Sequence, residues 1–163
     1  MTKEPTHSIR IAVREDVPAI VRLLADDPLG AIRESPEEPL SAAYWSAFDS
    51  ISEDPNNLLI VADVAGKIAG VLQLTFMPSL TYQGGWRAQI EGVRVAARRR
   101  SSGIGTKLVA WAIERSARRG CRLVQLTTDR TRVDALTFYE RAGFVCSHYG
   151  LKLDLLATGG AGP

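Results

Sequence analysis

The stretch WRAQIEGVRVAARRRSSGIG, residues 86–105, constrains the fold more than any other part of the chain. It runs from an apolar strand (86–95), through a turn of Arg, Ser and Gly (96–105), into a helix (103–119). Ile104, Leu108, Trp111 and Ala112 give that helix one apolar stripe, and Gly120 ends it. A further strand, CRLVQLTT, follows at once. A strand–helix–strand crossover joins parallel neighbours and lays its helix on a sheet face, so the chain is expected to be a mixed α/β protein. Gly92, in mid-strand, predicts a bulge or a close backbone approach.

The remaining elements fit around this unit. SIRIAV (8–13) alternates as a first strand. In REDVPAIVRLLADD, Asp16 is expected to cap a helix with Pro18 in its first turn and Val17, Ile20, Val21 and Leu24 on its apolar face. A proline-rich loop leads to a second helix carrying Leu40, Tyr44, Ala47, Phe48 and Ile51. NLLIVADV and KIAGVLQLTF form a hairpin around Ala65-Gly66. After the crossover come a short helix over VDALTFYERAG and one or two closing strands in FVCSHYGLKLDL. The predicted order is β-α-α-β-β-β-α-β-α-β: one domain over 1–156, with a flexible tail at 157–163.

Composition narrows the function classes. No apolar run approaches the ~20 residues that cross a bilayer, and MTKEPTHS lacks the apolar core of a signal peptide. The expectation is a cytoplasmic protein without membrane partners. Cys121 and Cys146 have no metal-like spacing and are expected as buried free thiols; His7 and His148 stand alone, so no metal is expected. The net charge of +2 hides an asymmetry. Residues 1–60 hold five Lys/Arg and eleven Asp/Glu, whereas 94–132 hold eleven Lys/Arg and two acids. No recognition motif frames the arginines, and the acidic first half would repel a long polyanion, so nucleic acid is not an expected partner.

The glycine turn suits a smaller anion. A helix N-terminus exposes unpaired N–H groups at the positive end of its dipole, and Gly103 and Gly105 let a phosphate approach that backbone. The turn lacks the lysine of GxxxxGK[ST] and does not follow an early strand as GxGxxG does. It does sit between two other motifs: V-x-V at Val93 and Val95, five residues before R-x-x-G-I-G, and ALTFYERAGF some thirty residues after it. Val93, Val95, Arg100, Gly103, Ile104, Gly105, Ala135, Phe138, Tyr139, Glu140, Gly143 and Phe144 together resemble the GCN5-related N-acetyltransferase (GNAT) superfamily, across roughly residues 8–155.

That resemblance implies a GNAT-like fold and acetyl-CoA as co-substrate, bound where a bulge in the fourth strand splays it from the fifth. Backbone groups of Val93, Arg94 and Val95 would pair with the pantetheine arm. The segment Arg100, Ser101, Ser102, Gly103, Ile104, Gly105 and Thr106 would hold the pyrophosphate, with Arg98 and Arg99 contributing field or reaching the 3′-phosphate. Asp134, expected to cap the last helix, would join Ala135 and Phe138 at the cofactor. Tyr139 stands where the family protonates the departing thiolate, and the Val95 N–H would hold the oxyanion. Glu91, next to Gly92 and two residues after Gln89, would be the base, directly or through water. Many members carry an asparagine after the fifth strand, whereas this chain has Thr127, Thr128 and Asp129.

The expected reaction is acetyl transfer to a primary amine in a ternary complex. Residues 15–54 and 79–85 would shape the acceptor site. Asp26, Asp27, Glu34, Glu37, Glu38, Tyr44, Trp45, Tyr82 and Trp86 there suit a cationic amine, first of all a small molecule. A protein lysine or N-terminal amine is the alternative acceptor, and a non-catalytic acyl-CoA binder the alternative role. Homodimers are common in the family.

Overall fold

A computed structural model of the protein describes residues 7–156. The tail at 157–163 lies outside the described residues, as does the side chain of His7. The chain divides into two compact units, one ending at Leu126 and one beginning at Thr127.

The first unit is a five-stranded mixed sheet in sequence order: β1 (His7–Ile11), β2 (Asn57–Val64), β3 (Lys67–Met77), β4 (Arg87–Val95) and β5 (Leu123–Leu126). The first four form an antiparallel meander; β5 adds parallel to β4 after the crossover helix. The β2–β3 hairpin turns on Ala65 (φ 52°) and Gly66 (φ 78°), both left-handed as a tight hairpin demands, and Asp63 Oδ1 accepts the Gly66 N–H at 2.7 Å.

Period-two alternation divides the strand residues between the two faces of the sheet. On one, Ile60, Ala62, Leu72, Leu74, Phe76, Ala88 and Ile90 are buried beneath α3 (Ile104–Arg118), which contributes Ile104, Leu108, Val109 and Ala112. Gly70 shares that face. A Cβ there would meet Leu108 Cδ1 at 2.9 Å and Ile104 Cγ2 at 3.0 Å, so its absence lets the first turns of α3 settle onto β3. On the other face, Val61 and Val71 pack with α1 (Val17–Leu24) and α2 (Ala42–Glu53) through Val17, Ile20, Val21, Leu23 and Phe48. Ser41 caps α2, its hydroxyl accepting the Ala43 N–H at 3.3 Å.

Asp16 departs from expectation. It precedes α1 but its carboxylate does not cap it. Instead it accepts Arg10 in a bidentate pair at 2.6 and 2.9 Å and the Val13 N–H at 2.8 Å. A buried carboxylate gains more from a guanidinium fork than from one helix N–H. The two thiols are free as expected, but Cys121 is half-buried and Cys146 exposed. Burial pushes the Cys121 thiol up.

The second unit holds α4 (Val133–Arg141), closed by Gly143 at φ 94°. The expected closing strand is absent: among the described residues, 144–156 form no ladder. Tyr149, Leu151, Leu153 and Leu155 keep a strand's alternation, yet each is at least 73% exposed. Alternation defines a face, but only a partner's N–H and C=O groups make a strand.

Candidate active site

The site begins at the bulge that Gly92 predicted. Val71 pairs with Arg94 and Gln73 with Glu91, so Leu72 alone faces both Gly92 and Val93, and Gly92 takes φ 61°. The parallel ladder to β5 stops just before it, at Ile90 and Leu126. This is why β5 is shorter than the sequence suggests. From Glu91 to Val95, the edge of β4 away from β3 has no strand partner among the described residues. The Ala96 N–H donates to Ala69 O at 2.9 Å, so strand alternation turns the Val95 N–H toward that open edge. The Val93 carbonyl already accepts Arg94 Nη1 at 2.8 Å.

The arginine turn follows. Ala97–Arg99 makes one 3-10 turn, Ser101 (φ 63°) and Gly103 (φ 80°) are left-handed, and α3 starts without a side-chain cap. Arg100 and Ser102 spend their N–H groups inside the turn, on Ala97 O and Arg99 O. The N–H groups of Ser101, Gly103, Ile104, Gly105 and Thr106 have no partner among the described residues. Five donors at a helix N-terminus form an anion cradle. The cradle is thus narrower than the expected Arg100 to Thr106. Arg98 and Arg99 are exposed, while Arg100 Nη2 donates to Asp26 O at 2.8 Å.

Asp26 and Asp27 were expected as attractors for a cationic amine; the fold uses them as fasteners. Asp26 Oδ2 accepts the Ala97 N–H at 2.9 Å. Asp27 pairs with Arg94 Nε at 2.9 Å and accepts the Gly30 N–H at 2.7 Å. Arg94, expected at the cofactor, therefore turns its side chain to Asp27. The other acidic candidates are partly engaged too: Glu34 accepts the Tyr44 hydroxyl at 2.9 Å, and Glu38 pairs with Arg22 at 3.6 Å. Burial pushes the Tyr44 phenol up. Trp45 lies under the Arg14 guanidinium, and Tyr82, left-handed at φ 53°, under that of Arg122.

Glu91 is exposed at the bulge. Before the bulge β4 alternates regularly, burying Ala88 and Ile90, so Gln89 shares the face of Glu91 as expected. Register extends that face across four strands, with Asn57 opposite Thr75, Thr75 opposite Gln89 and Gln89 opposite Gln125. Thr75 Oγ1 donates to Asn57 Oδ1 at 2.7 Å, and Gln125 Nε2 to Gln89 Oε1 at 2.8 Å.

In the second unit, Tyr139 is half-buried, its ring edge-on to Phe138 (5.1 Å between centroids) and Phe144 (5.9 Å). Ala135 and Phe138 lie on the same helix, both half-buried. Asp134 is not the cap: Arg132 is, and Asp134 sits in the first turn. The side chain that closes the turn before α4 is Asp129, which accepts both the N–H (3.0 Å) and hydroxyl (2.7 Å) of Thr131. No group of three or more His, Cys, Asp or Glu placed to hold a metal occurs among the described residues. Sequence reasoning missed Gly70 and the fastening by Asp26 and Asp27. The only local signal was two short acceptors directly after a helix, with nothing to name partners some seventy residues away.

Comparison with known proteins agrees with this geometry. The acetyltransferase (GNAT) family matches residues 17–144. An aminoalkylphosphonate N-acetyltransferase of Salmonella typhimurium is 32% identical over 107 residues, covering 66% of this chain and 69% of that protein. A solved structure from Bacillus halodurans C-125, named a transcriptional regulator, superposes with a TM-score of 0.90 at 54% identity, covering 92% of this chain and 100% of that one. A putative acetyltransferase from Agrobacterium tumefaciens C58 gives 0.80 at 29% identity, over 90% and 99% of the two chains.

Proposed function

This chain belongs to the acetyltransferase (GNAT) family, and from that premise we propose that it moves an acetyl group from acetyl-CoA to the primary amine of a small molecule in a ternary complex. The observation that carries the reading is the open edge of β4 beyond Ile90, running into a turn with five unpartnered N–H groups. The donor set fits a pantetheine amide chain followed by a pyrophosphate: peptide groups along an extended strand, then a helix N-terminus. Val95 and Val93 would pair with the arm, and Ser101, Gly103, Ile104, Gly105 and Thr106 would hold the pyrophosphate. Acetyl-CoA would supply the acyl group already activated as a thioester.

The protein's own groups would do the rest. The Val95 N–H would donate to the carbonyl oxygen as charge builds there. Glu91 would take a proton from the ammonium, through water, so that a neutral amine attacks. Tyr139 would give its proton to the sulfur as it leaves. The family match runs across both compact units, which supports reading 1–156 as one functional domain. The free thiols Cys121 and Cys146 accord with a cytoplasmic setting. The Salmonella relative, named for a small-molecule amine, supports the same class of acceptor.

Thiol release from acetyl-CoA across an amine panel tests the reaction. Turnover with small amines is expected; calorimetry showing no acetyl-CoA binding up to millimolar ligand would end the proposal. DNA binding is the second reading. It draws on the name of the Bacillus halodurans relative and on exposed Arg98, Arg99, Arg115 and Arg118. A salt-sensitive gel shift at micromolar protein would favour it.

A further inference from the structure

The face of β4 that carries Glu91 also carries Arg87, four residues earlier in the same regular alternation. Arg87 is half-buried, and its Nε is fully buried with no hydrogen-bond partner among the described residues. Its cross-strand neighbours are Met77 and Leu123, so no carboxylate lies opposite it. The buried Nε is out of a ligand's reach, but a half-buried guanidinium with no carboxylate paired to it among the described residues is fitted to take an oxyanion at its outer nitrogens. Between Arg87 and Glu91 lies the hydrogen-bonding row of Gln89 and Gln125, neutral and half-buried. Strand rise puts the two charged residues about 13 Å apart at their Cα atoms, on one face of the strand.

We propose that Arg87 determines acceptor choice: it binds an anionic group (phosphonate, phosphate or carboxylate) at the far end of the acceptor, whose amine lies at Glu91. The acceptor is then a short ω-amino acid or its phosphorus analogue, held head and tail across the polar row. This rests on the acetyltransferase reading and names the substrate class within it. It also gives this face of β4 a charge pattern, negative near the reacting end and positive at the other, which rejects diamines at Arg87.

The test uses three-carbon primary amines ending in phosphonate, carboxylate, hydroxyl or ammonium, with wild type, Arg87→Gln and Arg87→Lys. For the phosphonate and carboxylate, Arg87→Gln should raise KM about tenfold or more with kcat held, as loss of a charge-assisted pair implies. KM for the hydroxyl amine should not move, and Arg87→Lys should recover part of the loss. Equal use of all four amines by wild type, or an equal KM change for all of them in Arg87→Gln, overturns the proposal. Calorimetry with the amino phosphonate separates the two readings if no amine is turned over. Binding lost only in Arg87→Gln keeps the ligand assignment while ending the enzymatic one; absence of binding to wild type ends both.

Discussion

Asp16 shows how much a single side chain can contribute away from the chemistry. It is 7% exposed and held by both arms of Arg10, which keep its carboxyl below the usual range despite the opposing effect of burial. A depressed folded-state value means the stabilisation is present above the unfolded value, near ~3.9, and is lost as pH falls through the folded one. Asp16→Asn should therefore cost ~1–3 kcal/mol at neutral pH, and the gap to wild type should close on acidification, as urea unfolding at stepped pH would show. A gap that persists below both values would mean packing, not charge, holds Asp16. Tyr139 makes the complementary case. A phenylalanine keeps both edge-on ring contacts and removes the hydroxyl. Tyr139→Phe should lower kcat ~100-fold or more with KM for acetyl-CoA unchanged. An unaltered rate would transfer the acid role elsewhere.

Among elements, the turn between β4 and α3 carries the sharpest contrast. Gly103 sits at φ 80° with nothing within 4 Å of an added Cβ, so its requirement is conformational rather than spatial. Gly103→Val would force a branched residue into a left-handed turn, at ~1–2 kcal/mol, or move the N–H groups that follow. Acetyl-CoA affinity should fall at least about tenfold. Arg98→Ala and Arg99→Ala remove exposed charges worth ~0.2–1 kcal/mol, so each should weaken binding less than about fivefold. Calorimetry on the three variants checks the ranking, and the reverse order would mean side chains, not backbone, hold the anion. This element was legible in the sequence because its signals are local: Gly92, Gly103 and the stripe from Ile104 all lie within one strand, turn and helix. The end of the chain misled for the opposite reason. YGLKLDL has the alternation of a strand, but no short-range feature reports whether a partner edge exists.

For the whole molecule, contact density differs between the two units. In the first, β2 and β3 are covered on both faces and Ile60, Leu72 and Leu74 are wholly inaccessible. In the second, the residues after α4 expose most of their large apolar side chains. Native-state hydrogen exchange should follow that division: slow amides through β2–β3, fast ones over most of 144–156. Protection of 144–156 matching that of β3 would show that these residues are strand-paired in solution. The fastening by Asp26 and Asp27 has a practical side. The loop after α1 is bonded to the Ala97 N–H and to the Arg94 and Arg100 side chains, all in the segment that leads into the anion cradle. Anyone exchanging residues 25–41 to retarget the enzyme would be editing one half of a joint. A transplanted loop that drops the aspartate pair should arrive with its new specificity and a loosened grip on the donor, so the two segments are best grafted together.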